Sequence, residues 1–411
     1  MIYENANAVV GQSGGPTAAI NATLAGVITG CRASGKIQKL YGMRNGIEGF
    51  EKEDFISLFE YFEEEGQDKL SLLCSTPAAA LGSCRKRVKD DEQAKHIFEI
   101  LEKYNIRYFF YIGGNDSMDT VAYLSKYART HNDAFDVKFI GVPKTIDNDL
   151  CGTDHTPGYG SAAKYVATVI SEIARDCAVY KIKAVTIVEI MGRDAGWLAA
   201  SAAIPAYLGN KGADYVYVPE NVFDEDKFIE SLKKDLENPE KPYIVVAVSE
   251  GIKNADGTYA GEKAMKNAED AFGHKYLSGT GKYLENLVKE KIGCKCRSVE
   301  LNLPQRCASH IASACDITES VAIGNAAVMH ALSGKTGHMM AFVRDEADAY
   351  SCSTVGLDVT EIANKVRSIP EEFLSCGKVG VNDDCVKYIL PLIKGENKVS
   401  YKDGLPVHFE F

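Results

Sequence analysis

Short apolar runs alternate along the chain with longer segments in which apolar residues recur at helical spacing. The runs predict six strands: "NAVVG" at 7–11, "RYFFYIGG" at 107–114, "VKFIGVP" at 137–143, "AVTIVEIMG" at 184–192, "ADYVYVPE" at 213–220 and "PYIVVAVSEG" at 242–251. Strands that are buried on both faces of a parallel sheet have this continuous apolar character, and helical segments between them supply the crossovers. The pattern therefore predicts a doubly wound α/β fold.

Most of the predicted strands end in a small, polar turn that contains glycine. These turns are "GQSGGP", "GGNDSMDT", "KTIDND", "GRDAG" and "SEG". In open α/β sheets ligands bind beyond the carboxyl ends of the strands, so we expect the turns to converge on one crevice.

Two of the turns are suited to an anion. Gly14 and Gly15 allow close approach of the backbone, and we expect Pro16 in the first turn of the helix that follows. Gly113 and Gly114 lead into a predicted helix whose free N–H groups could hold a phosphate. "GCRASGKI" at 30–37 matches the spacing of a P-loop but follows a helical pattern, so we interpret it as a helix end and turn. No turn has the GxGxxG pattern, which disfavours a nicotinamide dehydrogenase.

The turn "KTIDND" carries groups that phosphoryl transfer needs. An acceptor hydroxyl requires a base, magnesium requires oxygen ligands, and the developing charge requires a cation. Asp147 could serve as the base, Asp149 could approach metal or substrate, and Lys144 could meet a phosphate. The alternative is a turn with aspartate caps and a surface lysine.

Composition narrows the class of protein. With 411 residues and 45% hydrophobic content, the chain can form two or three globular units, and it contains no linker-like tract. A net charge of -11 disfavours nucleic acid and anionic membranes as partners. No apolar run approaches the roughly 18 residues of a membrane span. The twelve cysteines are scattered, as expected of reduced thiols, and we expect a soluble cytoplasmic protein.

Seven motifs occur in the order and approximate spacing of a known family. They are "GGP" near the start, "GSCR" at 82–85, "GGNDS", "PKTIDND", "MGR" at 191–193, "SEG" at 249–251 and "QR" at 305–306. Over roughly residues 8–345 the chain resembles the phosphofructokinases, and most closely the pyrophosphate-dependent 6-phosphofructokinases.

The resemblance implies an enzyme with two doubly wound α/β domains and an active site in the cleft between them. A donor-binding domain would comprise residues 1–155 and 305–360, and a sugar-phosphate-binding domain residues 156–304 and 361–411. The reaction would be reversible transfer of a phosphoryl group from pyrophosphate to the 1-hydroxyl of fructose 6-phosphate, with Mg²⁺. The active form would be a homo-oligomer, at least a dimer.

The resemblance also implies roles for single residues. Asp147 would be the catalytic base, assisted by Lys144 and Asp116. Fructose 6-phosphate would be held by Thr145, Ile146, Asp149, Met191, Gly192, Arg193, Glu250 and Arg306, and by Arg297 from a neighbouring subunit. Pyrophosphate would be bound by Gly14, Gly15, Arg85, Gly114 and Ser117, and magnesium by Asn115 and Asp149.

Three positions distinguish the chain from ATP-using relatives. Those enzymes have GGDG where this chain has Asn115 and Asp116, and glycine in place of Lys144. In the pyrophosphate enzymes an aspartate at the position of Asp116 occupies the place of a nucleotide α-phosphate. Asn115 replaces an aspartate associated with magnesium. The alternatives are an ATP-dependent 6-phosphofructokinase and a catalytically silent regulatory subunit, although the presence of Asp147 argues against silence.

Overall fold

The computed structural model describes residues 3, 6–62, 66–131, 134–262, 279–347, 349–363 and 365–411. The strands are β1 (Ala6–Gln12), β2 (Ile37–Met43), β3 (Phe55–Ser57), β4 (Ile106–Gly113), β5 (Lys138–Pro143), β6 (Ala184–Ile190), β7 (Tyr215–Tyr217), β8 (Tyr243–Ser249), β9 (Lys295–Glu300), β10 (His338–Arg344), β11 (Cys352–Asp358), β12 (Tyr401–Lys402) and β13 (Leu405–Pro406). The α-helices are α1 (Ile20–Ser34), α2 (Gly46–Phe50), α3 (Leu58–Tyr61), α4 (Gly66–Ser75), α5 (Asp91–Lys103), α6 (Asn115–Thr130), α7 (Tyr159–Cys177), α8 (Trp197–Ala200), α9 (Ile204–Tyr207), α10 (Glu225–Asp235), α11 (Thr280–Lys291), α12 (Pro304–Cys307), α13 (Ala314–Leu332) and α14 (Asp383–Ile389). Short 3₁₀ turns cover Ser201–Ala203, Ser309–Ile311, Val359–Glu361, Glu371–Phe373 and Leu390–Ile393.

The larger sheet has seven strands in the order β11-β10-β5-β4-β1-β2-β3. Its inner strands are parallel, and β3 and β11 close the two edges in antiparallel pairing. Every residue of β1 is buried, because the strand lies between β2 and β4 and has helices on both faces. This burial explains the unbroken apolar run by which the strand was predicted.

The smaller sheet has four parallel strands in the order β7-β8-β6-β9. It takes its strands from one continuous part of the chain, between residues 184 and 300. The larger sheet instead combines strands from residues 6–143 with two from residues 338–358.

Helices α1 and α13 pack against each other on one face of the larger sheet, with their backbones in close contact. A methyl group on Gly26 would lie 2.1 Å from the carbonyl oxygen of Val321, and one on Gly324 would lie 2.2 Å from that of Thr23. Both distances are far below van der Waals contact, so only glycine fits at the crossing. The first helix of the chain therefore depends on one that begins almost 300 residues later.

All six predicted strands are present as β1, β4, β5, β6, β7 and β8. "GCRASGKI" is the end of α1 and a turn through Gly35, as predicted. The prediction for Pro16 was wrong, because the helix begins only at Ile20 and an irregular loop precedes it. The domain limits stay a prediction, although Phe409 packs in the core cluster of the larger sheet. Within the described residues, none of the helices combines the length and apolar character that a membrane span requires.

Candidate active site

A cavity of about 560 Å³ lies where the carboxyl ends of strands from both sheets meet. Twelve of its lining residues were predicted from the sequence: Gly14, Gly15, Arg85, Gly114, Asn115, Asp116, Ser117, Lys144, Thr145, Asp147, Asp149 and Arg193. Four were not: Arg87, Asp194, Tyr259 and Val366. The turns that follow β1, β4, β5 and β6 thus converge as expected.

Asp147 is fixed by the residue at the start of its own turn. The hydroxyl of Thr145 donates to Oδ2 of Asp147 at 3.2 Å, and the backbone N–H of Asp147 donates to the same hydroxyl at 3.1 Å. Burial raises the pKa of the Asp147 carboxyl, against the opposing effects of Thr145, Lys144 and Arg193. A carboxylate in such surroundings is a stronger base than an exposed aspartate.

Lys144 joins the turn after β5 to the glycine loop after β1. Its Nζ donates to the carbonyl oxygen of Gly15 at 2.6 Å, and the residue is only 3% exposed. Burial lowers the pKa of the Lys144 ammonium to about 8, although the Asp147 carboxylate opposes the shift. Gly14 has φ +79°, and a methyl group there would lie 3.3 Å from Nζ, so glycine keeps both the loop conformation and the room for the ammonium.

The start of α6 forms the wall of the cavity beyond β4. The N-cap residue is Gly114, which has no side chain to cap the helix, and the first turn of α6 lines the cavity with Asn115, Asp116 and Ser117. Asp116 forms an ion pair with Arg87, whose Nη1 also lies 3.4 Å from Asp119. Asp116 is therefore held by an arginine that the sequence analysis did not single out.

The opposite wall comes from the turn after β6, which the turn after β8 supports from behind. Nε of Arg193 donates to Oδ2 of Asp194 at 2.9 Å, and the N–H of Gly192 donates to Oε1 of Glu250 at 3.2 Å. Burial raises the pKa of Glu250 to about 8. The N–H of Met191 donates to the side chain of Gln305 at 3.3 Å.

Six predicted site residues are outside the set that lines the cavity. Gly192, Met191 and Glu250 lie directly behind Arg193, as described above. Arg306 reaches the glycine loop, since a methyl group on Gly15 would lie 3.1 Å from its Nη1. The side chain of Ile146 is buried in a core cluster, and Arg297 is exposed on β9 beside a separate groove. The structure therefore brings neither Ile146 nor Arg297 to the cavity of its own chain.

The oxygen atoms in the cavity fit a divalent cation. Burial and the charge of Asp147 raise the pKa of the Asp149 carboxyl, and a bound dication would relieve both effects. Oδ1 of Asn115 is buried and has no hydrogen-bond partner. In the described part of the chain, no three acidic, histidine or cysteine ligands of this cavity lie within 4.8 Å of one another. Magnesium usually takes one or two carboxylates from a protein and completes its shell with substrate phosphates and water, so Asp149 and Asn115 are the candidate ligands here.

The four missed residues had weak signals in the sequence. Arg87 stands in the basic run "RKRVK", where nothing distinguishes it from its neighbours. Asp194 follows "MGR" directly and could have been found by extending that motif by one residue. Tyr259 and Val366 come from distant loops, and only the folded chain brings them to the cavity.

Two β-sheets with flanking helices enclose a cavity that is lined by glycine loops, arginines and buried carboxylates. This arrangement is typical of enzymes that bind phosphorylated ligands. Residues 7–331 match the family described as Phosphofructokinase. The chain belongs to the phosphofructokinase family.

Curated relatives and solved structures match over nearly the whole chain. A pyrophosphate--fructose 6-phosphate 1-phosphotransferase of Xanthomonas campestris is 38% identical and covers 98% of this chain and 95% of its own. The protein of the same name from Halomonas elongata is 36% identical, with coverages of 97% and 94%. The crystal structure of a pyrophosphate-dependent phosphofructokinase from Nitrosospira multiformis has a TM-score of 0.86 and 36% identity, over 97% of this chain and 95% of that one. These matches confirm the fold class and the resemblance.

Proposed function

We propose that this chain is an enzyme that transfers a phosphoryl group from pyrophosphate to the 1-hydroxyl of fructose 6-phosphate. The products are fructose 1,6-bisphosphate and phosphate, and the reaction runs in both directions. The names of the near full-length relatives support the substrates. The observation that carries the proposal is that Asp147 and Lys144, from one turn, line the same cavity as the glycine loops and the start of α6.

Asp147 acts as the base. Its carboxylate takes the proton of the sugar 1-hydroxyl as the oxygen bonds to the nearer phosphorus, and the bond from that phosphorus to the bridging oxygen breaks. The leaving phosphate departs with the bridging oxygen, and the ammonium of Lys144 stabilises its charge. In the reverse direction protonated Asp147 returns the proton. Arg193 and Arg306 supply fixed positive charge for the sugar phosphate.

Magnesium would be held by Asp149 and by Asn115 through its buried Oδ1. When bound, it neutralises charge on the phosphate oxygens and so lowers the electrostatic barrier to attack. Asp147, Lys144 and the arginines provide the proton transfer and orientation described above.

Donor choice depends on the pair of Asp116 and Arg87. Two unit charges about 4 Å apart interact by about 4 kcal/mol at an effective dielectric near 20, so a free carboxylate at this position would strongly oppose a nucleotide phosphate. Arg87 offsets part of that charge, and both side chains are about one-third exposed, so the repulsion is smaller. The carboxylate still occupies space and carries charge beside the donor loop, and we propose that it favours pyrophosphate over ATP.

The active form is proposed to be a cytoplasmic homo-oligomer. Arg297 is exposed on β9 and does not line the cavity of its own chain, which agrees with a role in a neighbouring subunit.

The test is a donor assay with pyrophosphate, ATP and no donor, using wild type, Asp116→Gly and Asp119→Gly. Wild type should use pyrophosphate well and ATP poorly. Asp116→Gly should lose pyrophosphate activity and gain ATP activity. Asp119→Gly is the matched control, because it removes the other carboxylate near Arg87 from the same helix and Asp119 does not itself line the cavity. Its donor preference should stay unchanged.

Each other outcome has a defined meaning. A wild type that prefers ATP would identify an ATP-dependent kinase. A wild type with no turnover from any donor, but with measurable binding of fructose 6-phosphate, would identify a regulatory subunit. Unchanged donor preference in Asp116→Gly would remove the proposed role of Asp116.

A further inference from the structure

Asn148, which lies between the base Asp147 and the proposed magnesium ligand Asp149, is held by the C-terminal part of the chain. Asn148 separates Asp147 from Asp149, is fully buried and has a left-handed backbone with φ 55°. Its Oδ1 accepts from the N–H of Thr156 at 3.1 Å, which closes the turn on itself. Its amide nitrogen leaves the turn and donates to the hydroxyl of Tyr388 at 3.0 Å.

Tyr388 links this turn to the segment that follows it. The same hydroxyl donates to the carbonyl oxygen of Asp154 at 2.6 Å, so one oxygen atom fixes the chain at residues 148 and 154. The tyrosine ring is held independently of the hydroxyl: the guanidinium of Arg344 lies 4.5 Å from the ring centre, and the Trp197 ring lies 5.2 Å away. Tyr388 thus presents its hydroxyl from a rigid position in α14.

Arg367 holds the other side of the turn. Its backbone N–H donates to the carbonyl oxygen of Asp149 at 2.7 Å, and its Nη1 donates to that of Asn148 at 3.3 Å. The guanidinium lies 4.3 Å from the Trp197 ring centre, and the Trp197 indole N–H donates to the carbonyl oxygen of Arg367 at 3.0 Å. Both ends of the arginine are therefore fixed.

These contacts have a mechanistic consequence. A left-handed backbone is uncommon outside glycine, although asparagine is among the residues that adopt it most readily, and the contacts around Asn148 fix it in that conformation. Because Asn148 lies between Asp147 and Asp149, any relaxation of its backbone moves both carboxylates relative to the acceptor hydroxyl and the metal. Displacements of about 1 Å at a reacting group are enough to reduce turnover by about 100-fold.

We propose that Tyr388 and Arg367 are positioning residues for the phosphoryl transfer, and that the C-terminal segment 366–388 serves as a brace for the catalytic turn. Neither side chain lines the cavity or touches a reacting group. This inference rests on the proposed function, because the brace can affect turnover only if Asp147 is the catalytic base.

The test compares Tyr388→Phe with Tyr215→Phe in the complete enzyme, assayed with pyrophosphate, fructose 6-phosphate and magnesium. Tyr388→Phe keeps the ring and removes only the hydroxyl. We expect kcat to fall by roughly 10- to 100-fold, with both KM values within about twofold of wild type and a fall in Tm of a few degrees, because the buried Asn148 amide loses its partner. Tyr215→Phe removes a comparable hydroxyl, bonded to Asp235 at 2.7 Å in the smaller sheet, and should leave kcat unchanged.

Arg367→Met gives a second variant of the same network, since Nη2 of Arg367 also donates to the Tyr388 hydroxyl at 3.5 Å. It retains the backbone bond to Asp149 and loses the guanidinium contacts, so kcat should again fall while the KM values hold. A wild-type kcat in folded Tyr388→Phe, or equal losses in Tyr388→Phe and Tyr215→Phe, would overturn the brace. A lower Tm with a normal kcat per folded active site would show that Tyr388 contributes only to stability. Absence of pyrophosphate-dependent turnover in wild type would instead refute the proposed function.

Discussion

Lys144 and Asp147 lie three residues apart, and the same burial shifts their pKa values in opposite directions. Loss of water raises the pKa of the carboxyl and lowers that of the ammonium to about 8, because in each case it disfavours the charged form. The raised pKa makes Asp147 a stronger base, and a pKa of about 8 still leaves most of Lys144 charged at neutral pH to stabilise the leaving phosphate.

Asp147→Asn should fold normally and lose roughly 100- to 10,000-fold in kcat, the usual range for a general base. The asparagine keeps the size of the side chain and removes a buried charge, so the Tm should not fall. Asp194→Asn is the comparison, since it removes a carboxylate from the same cavity without removing the base, and should lose far less. Steady-state kinetics on folded protein decide this, and near-normal turnover of Asp147→Asn would eliminate its role.

Single residues of the site differ in how well the sequence predicted them. Those in short motifs after strands were found, because a glycine loop or "KTIDND" carries its chemistry within a few positions. Arg87 was not predicted, because only its contact with Asp116, 29 residues away, indicates a role in the site. Tyr388 and Arg367 act on a turn more than 200 residues earlier, and no local pattern marks such a contact.

At the scale of elements, strand position explains some of the strands that were missed but not all, because the edge strand β7 was predicted and the inner strand β10 was not. Central strands are buried on both faces and therefore read as unbroken apolar runs. β9 lies at an edge of the smaller sheet, with exposed Lys295, Arg297 and Glu300, and gave no such run. β2 was missed because exposed Gln38 and Lys39 interrupt its apolar run.

The buried side chain of His155 joins the loop after the catalytic turn to α13 and β10. His155 follows the catalytic turn, and its two ring nitrogens lie 2.9 Å from Asp154 and from Glu319 of α13. Its ring stacks on Phe342 of β10 at 4.5 Å. Arg344 also pairs with Asp154, so two cations and two carboxylates balance in this cluster. Burial lowers the pKa of His155, but the two carboxylates outweigh it and hold the pKa above its ordinary value.

The raised pKa predicts how stability depends on pH. Folded protein keeps the His155 proton at pH values where the unfolded chain, with a pKa of about 6.5, has released it. The contribution is complete below about pH 6.5 and is lost as the pH rises through the folded value, at up to about 1.4 kcal/mol per pH unit. Thermal unfolding from pH 6 to 8.5 should show a fall in wild type and a flatter curve in His155→Gln. Parallel curves would contradict the assignment.

At the scale of the whole molecule, Arg297 allows a test of whether two subunits share an active site. Arg297→Ala and Asp147→Asn should each be nearly inactive alone. If each site combines Asp147 of one subunit with Arg297 of another, random mixing of two mutant dimers should restore about a quarter of the activity, because half are heterodimers with one intact site. Lys295→Ala, two residues earlier on the same strand face, is the control and should be active by itself. Failure to recover activity when subunits demonstrably exchange would exclude a shared site.

The crossing of α1 with α13 also bears on how the chain folds during synthesis. The segment that carries α1 leaves the ribosome first, yet its partner helix ends roughly 300 residues later, a delay of about 15–60 s at ordinary translation rates. Residues 369–392 complete one face of the smaller sheet, but its strands are continuous in sequence and its other face packs on α10 and α11 from the same part of the chain. We expect it to close while the apolar face of α1 is still uncovered and open to chaperones. Protease treatment of ribosome-bound chains stalled when residue 300 has just left the exit tunnel, with α13 still inside it, should cut within α1 and spare β6 to β8, and protection of α1 at that length would refute this order.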